Sequence, residues 1–492
     1  MTTAVIEITR ARNPFPQSGV ARDSRGTPRY SDVPATLLDA LRAYAEGRPD
    51  AEAVVEIGRN RLTYSQLWKA ACRVAGGLRA AGVRRGDRVA LRYPSGMNWV
   101  LGYWGTLLAG GVAVVVNTRS VPAEVEFVLC DAGVKVDLAA DTPLPDGDSY
   151  VSEGIVATDV AALFYTSETT GDLKGVPTTH EALVTNAENM IRGFGLPREV
   201  NSDLRMLISV PLFDVAACNS QLLVASYVGG TAVILPVLDL AALVNAVVAE
   251  RISFVVTAPA VYSLLLSHPS FADADMTSVR MVGYGGSPIA PSLVRELLAA
   301  FPRATLTNGY SLTEAASLIT VLPDRDALAH ADSVGYAVPS VDIGIVPLGD
   351  IPNVGELVVR GANVTEGYWY RPRATAETIV GGWLRTGDIA RIDDAGRVYL
   401  VGRNDSIINR GGAKISSAEP QYAAICTEPL PHAASRVGAN CVEMCGGVHR
   451  CGSGPHFRSG EIARRQTEGT EAPMPDYPAV DRIRVDSDSG LR

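Results

Sequence analysis

A run of small hydroxyl residues and glycines ending in a lysine follows an apolar stretch at residues 160–164. Residues 165–176 read Tyr-Thr-Ser-Glu-Thr-Thr-Gly-Asp-Leu-Lys-Gly-Val. Backbone N–H groups in such a loop can close around phosphate oxygens, and Lys174 can neutralise them as a point charge. The spacing is not that of the Walker phosphate loop, and a polar surface loop is the alternative interpretation. The candidate phosphate-binding residues are Thr166, Ser167, Thr169, Thr170, Gly171 and Lys174.

Three later segments carry residue types that suit a bound ligand. Residues 283–288 read Gly-Tyr-Gly-Gly-Ser-Pro, residues 308–314 read Asn-Gly-Tyr-Ser-Leu-Thr-Glu, and residues 382–388 read Gly-Trp-Leu-Arg-Thr-Gly-Asp. Glycines permit close approach of a ligand, and the carboxylate of Asp388 suits two adjacent hydroxyl donors. Each segment alone is also typical of a turn or a helix cap. Their order along the chain is therefore the stronger indication.

In this order the motifs resemble those of the adenylate-forming superfamily, which includes acyl- and aryl-CoA synthetases, firefly-type luciferases and nonribosomal-peptide adenylation domains. The resemblance extends from about residue 62 to about residue 419. It includes residues 402–412, which resemble the family's hinge motif, and residues 211–216, which resemble its Pro-Leu-Phe-His segment beside the acyl pocket. It implies an α/β fold with a large adenylate-forming N-terminal domain, built from layered α/β sheets and a small β subdomain.

The resemblance also implies a role for each matching residue. Tyr310 would pack on adenine, Thr313 would contact the α-phosphate region, and Glu314 would hold Mg²⁺, which prefers hard oxygen ligands. Asp388 and Arg403 would hold the ribose. With Lys174, Thr313 and Glu314 are the expected catalytic residues. Further nucleotide-binding positions are Gly285, Gly286, Ser287, Asn308 and Gly309. Expected acyl-pocket residues are Phe213, Asp214 and Gly285.

Four residues depart from the family pattern. Glu168 stands in place of a glycine in the phosphate loop, where a carboxylate would repel a triphosphate. Leu173 replaces a proline, and Ser406 stands at the pivot, where members commonly have Asp or Lys. Asp214 replaces the histidine beside the acyl pocket, and an unpaired buried carboxylate there would tend to take up a proton. An impaired nucleotide- or acyl-binding pseudoenzyme is therefore an alternative function.

Helix-like and β-branched segments alternate through much of the chain, which favours a layered α/β fold. The predicted helices are residues 64–81, 97–109, 240–249 and 292–301, and the predicted strands of these units are residues 88–91, 112–116, 252–256 and 304–306. Short strands at residues 356–360, 387–392 and 397–401 predict the small β subdomain. We expect an adenylation domain at residues 1–403, a hinge at 404–406 and a small α+β domain at 407–492.

The C-terminal part is atypical after about residue 439. The family carries a late catalytic lysine, but no lysine follows Lys414 in this sequence. Three cysteines and two histidines lie between residues 441 and 456, and their spacing fits common zinc modules poorly. A shifted reading frame or a decayed C-terminus is the favoured hypothesis, and a zinc site is the alternative.

Composition and hydropathy limit the possible classes of protein. Hydrophobic residues make up 47% of the 492 residues, which is enough to form a large core, and the formal charge of −9 excludes a basic field for nucleic acid. Residues 99–116 predict a buried helix and strand rather than a membrane span, since glycines interrupt the run. The N-terminus has no signal-peptide pattern, and the expected location is cytoplasmic.

Together the residues and the resemblance predict an ATP-dependent acid–thiol ligase. The carboxylic acid, fatty or otherwise apolar, would be converted into an acyl-adenylate and then into a thioester with coenzyme A. ATP, Mg²⁺ and coenzyme A are the expected cofactors. Loading of a carrier protein's phosphopantetheine arm is a further alternative that the sequence cannot separate from coenzyme A ligation, and the oligomeric state is open.

Overall fold

The computed structural model describes residues 5–7, 13–167, 173–197, 204–348, 353–403, 407–410 and 413–416. Its strands are β1 (Ile6–Glu7), β2 (Val20–Arg22), β3 (Pro28–Tyr30), β4 (Glu52–Glu56), β5 (Arg61–Thr63), β6 (Arg88–Arg92), β7 (Val112–Val115), β8 (Val134–Ala139), β9 (Val160–Ser167), β10 (Leu173–Thr179), β11 (Arg205–Ile208), β12 (Thr231–Ile234), β13 (Phe254–Thr257), β14 (Met281–Gly285), β15 (Thr305–Leu312), β16 (Ser317–Leu322), β17 (Tyr336–Ala337), β18 (Val341–Pro347), β19 (Val354–Gly361), β20 (Ile379–Val380), β21 (Trp383–Ile392), β22 (Val398–Arg403), β23 (Ile407–Arg410) and β24 (Ala413–Ser416).

Its helices are α1 (Leu37–Gly47), α2 (Tyr64–Ala80), α3 (Met97–Leu108), α4 (Pro122–Ala132), α5 (His180–Phe194), α6 (Val215–Ala217), α7 (Leu223–Tyr227), α8 (Leu240–Ala249), α9 (Pro259–Leu266), α10 (Pro269–Ala272), α11 (Pro291–Ala300), α12 (Asp324–Ala327) and α13 (Pro372–Thr378). A π-helical segment occupies Cys218–Leu222 and a 3₁₀ turn occupies Thr313–Ala315. Within the described ranges, no helix is long and apolar enough to cross a membrane.

The largest sheet has nine strands in the order β17, β16, β15, β14, β13, β11, β12, β4, β5. The run from β15 to β4 is parallel, and its strands are buried on both faces. Met206 and Ile208 of β11 join one hydrophobic cluster while Leu207 between them joins the other, as the period of two in a strand requires. Helices α8, α9 and α11 cover the second face, which explains why these strands read as continuous apolar runs.

A second sheet has five strands in the order β10, β9, β7, β6, β8, and only β10 is antiparallel to its neighbour. Helix α3 and strand β7 lie within residues 99–116, so the prediction of a buried helix and strand there is confirmed. Trp99, Tyr103 and Trp104 of α3 are fully buried in the main hydrophobic cluster. The aromatic side of α3 therefore anchors this sheet in the core.

The third large sheet is antiparallel, in the order β1, β18, β19, β21, β20, with β22 paired to β21. The expected layered α/β architecture with a small β subdomain is confirmed. Strand β21 runs through the Thr-Gly-Asp motif, so that motif lies in a strand and not in a turn. The hinge at 404–406 and most of the expected C-terminal domain, including the atypical segment after residue 439, lie outside the described residues. The domain division stays a prediction.

Candidate active site

Strands β11, β13, β14 and β15 end at one edge of the nine-stranded sheet, and most of the candidate site residues lie there. The chain leaves β11 for β12 on one side and returns through β13 on the other, so strand order reverses between β11 and β13. Ligands of open α/β sheets bind beside such a reversal, outside the carboxyl ends of the strands. We call the edge where these parallel strands end the carboxyl edge, and the opposite edge the amino edge.

Two glycines shape the backbone at the carboxyl edge. Gly285 ends β14 and is paired with Gly309 of β15, and a Cβ atom on Gly285 would lie 2.3 Å from the carbonyl oxygen of Gly309. Glycine is therefore needed at position 285 for the two strands to pair this closely. Gly286 has a φ of 77° and directs the chain away from the sheet, followed by Ser287. Nδ2 of the Asn308 side chain donates to the carbonyl oxygen of Ser333 at 3.2 Å, which fixes the start of the segment 308–314.

Tyr310, Asp388 and Arg403 form one group. The Tyr310 hydroxyl donates to Oδ2 of Asp388, and both residues are buried. Asp388 and Arg403 are direct partners in the β21–β22 ladder, and Nε of Arg403 lies 3.7 Å from Oδ1 of Asp388. Burial, and then the Asp388 carboxylate, raise the pKa of Tyr310 well above its ordinary value, so this phenol stays a donor. The structure thus brings together three residues expected to hold the nucleoside.

Glu314 lies in the 3₁₀ turn that joins β15 to β16. The two residues after Ala315 have positive φ angles, 54° at Ala316 and 134° at Ser317, which residues other than glycine rarely adopt. Strained backbone of this kind persists only where surrounding contacts over-determine it. Thr313 begins the turn, and the backbone N–H of Thr365 donates to the carbonyl oxygen of Glu314 at 2.7 Å.

Buried asparagine side chains form hydrogen bonds with the backbone of this turn. Nδ2 of Asn363 donates to the carbonyl oxygens of Ala315 at 2.8 Å and Leu318 at 3.1 Å. Nδ2 of Asn219, in the π-helical segment, donates to the carbonyl oxygen of Ala316 at 2.9 Å. The backbone N–H of Leu318 donates to Oδ1 of Asn186 at 3.0 Å. These bonds satisfy Nδ2 of Asn363 and of Asn219 and hold the backbone on both sides of Glu314, while Oδ1 of these two asparagines is buried without a partner among the described residues. We call these three asparagines the amide clamp.

Tyr368 is a residue of the site that the sequence reading missed. Its hydroxyl donates to Oε1 of Glu314 at 3.0 Å, and Nζ of Lys174 lies 5.2 Å from the centre of its ring. The next residue, Trp369, donates its backbone N–H to the carbonyl oxygen of Gly175 at 2.8 Å. Tyr368 therefore connects the lysine expected to neutralise phosphate with the carboxylate expected to hold the metal. Its partners lie 54 residues or more away in sequence, and no local pattern signals them.

The phosphate-loop candidate is the tip of a β-hairpin rather than a long loop. Strands β9 and β10 pair up to Ser167 and Leu173, with Thr166 opposite Lys174, because the flanking Tyr-Thr-Ser and Leu-Lys-Gly-Val segments alternate as strands do. Oγ1 of Thr166 is buried and has no hydrogen-bond partner in the described part of the chain. Residues 168–172, which include Thr169, Thr170 and Gly171, lie outside the described residues.

Residues 211–216 follow the end of β11, so the expected acyl-pocket segment begins beside the strand-order reversal. Phe213 and Asp214 are partly buried, and the guanidinium carbon of Arg119 lies 5.9 Å from the Phe213 ring. Burial raises the pKa of the Asp214 carboxyl, and the charge of Arg119 opposes that rise. Asp214 thus has one nearby cation, but its side chain forms no hydrogen bond at the start of α6.

Known proteins resemble this chain in sequence and in fold. The family described as AMP-binding enzyme matches residues 41–153 and 138–369. The chain belongs to this family. A feruloyl-CoA synthase from Amycolatopsis sp is 36% identical over 399 residues, which cover 75% of this chain and 79% of that protein. The long-chain-fatty-acid–CoA ligase FadD13 of Mycobacterium tuberculosis is 31% identical over 420 residues, 78% of this chain and 80% of the relative.

Solved structures of AMP-binding enzymes share the fold as well. The structure titled Mycobacterium tuberculosis fatty acyl CoA synthetase has a TM-score of 0.70 and 30% identity, over 80% of this chain and 83% of that one. The predicted membership of the adenylate-forming superfamily, in its acyl-CoA synthetase branch, is confirmed. So is the predicted activity of an AMP-forming acid–CoA ligase, which uses ATP to activate a small-molecule carboxylic acid and transfers the acyl group to coenzyme A.

Proposed function

We propose that the substrate is an apolar monocarboxylic acid, fatty or aromatic, and that the residues of the carboxyl edge adenylate it. The relatives' names give both chemical types, feruloyl and long-chain acyl. Phe213 follows the carboxyl end of β11, beside the strand-order reversal where a ligand of this fold would lie. The observation that carries the proposal is the convergence of Tyr310, Asp388 and Glu314 beside the close glycine pair of β14 and β15.

Asp388 and Arg403 would bind the ribose, and Tyr310 would pack its ring on adenine while its hydroxyl keeps Asp388 oriented. A carboxylate can accept from two adjacent hydroxyl groups, and Asp388 is already held at one oxygen by a neutral donor. Gly286, where an added Cβ atom would meet nothing within 4 Å, would leave room for the nucleotide beside the strand ends, with Gly285, Ser287, Asn308 and Gly309 lining that space.

Lys174, Thr166 and Ser167 would hold the phosphates, with Thr169, Thr170 and Gly171 completing the loop. The unpartnered hydroxyl of Thr166 supports this, because a buried polar atom without a partner needs a ligand or water to satisfy it. Thr313 would contact the α-phosphate. The attack of a carboxylate oxygen on that phosphorus releases pyrophosphate, and a thiol then displaces AMP. The protein's contribution is to position the reacting groups and to offset their charge.

Glu314 would hold Mg²⁺ together with the phosphates of ATP, where the ion would offset the negative charge that develops on the leaving pyrophosphate. The donor set fits, since Mg²⁺ is commonly bound by one or two carboxylates plus substrate phosphates. The described residues contain no group of three acidic, histidine or cysteine side chains that could hold a metal alone. Glu314 accepts one hydrogen bond from Tyr368, which fixes the orientation of the carboxylate.

Coenzyme A is the acceptor of the ligase activity, and loading of a carrier protein's phosphopantetheine arm stays the alternative. The hinge at 404–406 and a cytoplasmic location also stay proposals. Glu168 supports a second candidate function, a binding protein with impaired turnover, because its carboxylate occupies a loop expected to hold a triphosphate.

One assay separates these functions. We would measure pyrophosphate exchange and hydroxylamine trapping of the adenylate across aromatic and fatty acids of graded length, and then thioester formation with coenzyme A. The chain would be compared with Glu168→Gly, and Asp388→Ala would be the negative control. We expect exchange with at least one apolar acid. If neither form makes adenylate while both bind ATP, the protein is a binding protein; activity only in Glu168→Gly would locate the defect at that residue.

A further inference from the structure

The amino edge of the nine-stranded sheet carries a second concave surface, far along the strands from the candidate active site. A cleft of about 660 Å³ is lined there by four arginines together with two glutamates, serines and a threonine. We define the arginine cleft by Arg205, Arg251, Arg280 and Arg303. Each of the four precedes or begins a parallel strand of the sheet or ends a helix that packs on it.

The backbone positions of these residues are fixed by an extension of the sheet's hydrogen bonds. The N–H of Ser253 donates to the carbonyl oxygen of Arg205 at 3.0 Å, and the N–H of Arg280 donates to that of Ser253 at 2.8 Å. The N–H of Thr305, two residues after Arg303, donates to the carbonyl oxygen of Arg280 at 2.9 Å. The arginines therefore stand side by side on a rigid edge, and ordering them for a ligand would cost little backbone entropy.

Arg251 stands out because its backbone would suit a glycine. Its φ is 50°, in the left-handed region at the C-terminal end of α8, where glycine is the common residue. An arginine has no conformational advantage at such a position. Arg251 nevertheless lines the same cleft as Arg280 and Arg303.

The charges of the cleft do not cancel. Arg205 binds Glu52 at 2.7 Å and Glu250 at 2.6 Å, and Arg61 reaches the same two carboxylates from the exposed side. Those four residues balance one another. Within the part of the chain that the structure describes, Arg251, Arg280 and Arg303 form no ion pair, although the charge of the Asp275 carboxylate interacts with those of Arg251 and Arg303. The remaining field is positive on a protein whose formal charge is −9.

Polar groups suited to an anion complete the cleft. Ser278 lines it, and the hydroxyl of Ser278 is buried without a hydrogen-bond partner among the described residues. Thr277 adds a second hydroxyl-bearing residue to the lining. Each guanidinium can donate two parallel hydrogen bonds to an oxyanion. Several guanidinium groups around one cleft therefore suit a ligand with many phosphate oxygens better than they suit a ligand with a single carboxylate. We propose that the arginine cleft is a second ligand site, which binds a small molecule carrying a diphosphate group.

The test counts and locates bound pyrophosphate on the full chain. Equilibrium dialysis with labelled inorganic pyrophosphate would give the number and strength of sites, and hydrogen exchange would show which segments become protected. We expect protection at residues 249–253, 277–281 and 301–305 in addition to the active site. In Arg280→Glu/Arg303→Glu the second site should weaken at least about tenfold, because two charge-assisted donors become repulsive groups.

Arg84→Glu/Arg295→Glu is the matched control, since both arginines are exposed, lie outside the cleft and change the net charge equally. The control should keep both sites, and both variants should keep pyrophosphate binding at the active site, which shows that they fold. Arg280→Lys/Arg303→Lys should bind with intermediate strength. ADP would be compared with pyrophosphate to separate recognition of a nucleotide from recognition of the anion alone. One bound pyrophosphate in the unaltered chain, with no protection at the cleft, would overturn the proposal.

Discussion

The two halves of the candidate active site are held in different ways. In the half on β15, the two carboxylates expected to bind ribose and metal each accept a hydrogen bond: Tyr310 donates to Asp388 and Tyr368 donates to Glu314. The amide clamp holds the turn that carries Glu314. In the half on the β9–β10 hairpin, the Thr166 hydroxyl is buried without a partner in the described residues. One half is thus organised before a ligand binds, while the other has hydrogen-bonding capacity left for phosphate.

Tyr368 is the connection between these halves. Its hydroxyl donates a hydrogen bond to Glu314 in the β15 half, and its ring faces the ammonium group of Lys174 in the hairpin half. A preorganised carboxylate and a phosphate-facing cation need a fixed separation, and a rigid aromatic side chain can supply it. The comparison leads to four predictions, in order of expected effect.

Glu314→Gln should reduce adenylate formation by roughly 10²–10³-fold, because the amide cannot offer the charge that a divalent metal requires. Pyrophosphate exchange at several Mg²⁺ concentrations would measure it. The hydrogen bond from Tyr368 can persist in this variant, so unfolding stability should change little. A rate within threefold of the unaltered chain would remove Glu314 from the proposed metal site.

Asn363→Ala should lower the free energy of unfolding by about 1–3 kcal/mol, because the carbonyl oxygens of Ala315 and Leu318 lose a buried donor. Urea unfolding would measure it. Exchange activity should fall as well, since the positive-φ turn after Glu314 would relax. Asn245→Ala, at an exposed position of α8, is a control asparagine outside the amide clamp. Equal stability of Asn363→Ala and that control would show that the clamp does not hold the turn.

Tyr368→Phe should reduce kcat for adenylation by about tenfold, since a hydrogen bond to a charged group is lost while the ring remains. Tyr368→Leu, which also removes the ring under Lys174, should lose more and should raise KM for ATP. Steady-state kinetics of both variants would separate the two contacts. If Phe and Leu behave alike, the ring does not connect the two halves.

Asp214→Asn tests the expected acyl pocket, and we expect the smallest of the four effects, a change in stability that depends on pH. Burial raises the pKa of Asp214 in the folded chain, so its contribution to stability is present below the carboxyl's ordinary pKa and is lost as pH rises through the folded value. The asparagine variant should therefore gain stability relative to the unaltered chain as pH increases, then level off. Urea midpoints across pH would show this. A difference that stays constant with pH would mean that Asp214 is not perturbed by burial.

Much of the fold was predictable because it follows local periodicity. Helix α8 spans the predicted residues 240–249, and α2, α3 and α11 begin or end within one or two residues of their predictions. The prediction was wrong about the long loop at 165–176. Only its centre lies between strands, because strand pairing across the hairpin outweighs the turn propensity of its flanking residues.

The sequence by itself determined the order of the motifs, the residue types at the site and the family to which they belong, because each motif is contiguous and its chemistry is local. Only the tertiary structure decided which distant groups complete them. Asn186 reaches Leu318 across 132 residues, Tyr368 reaches Glu314 across 54, and four arginines meet at the amino edge. The arginines meet because parallel strands share an edge whatever their separation along the chain. The other two contacts come from packing between elements, of α5 on β16 and of the connection between β19 and α13 on the turn after β15.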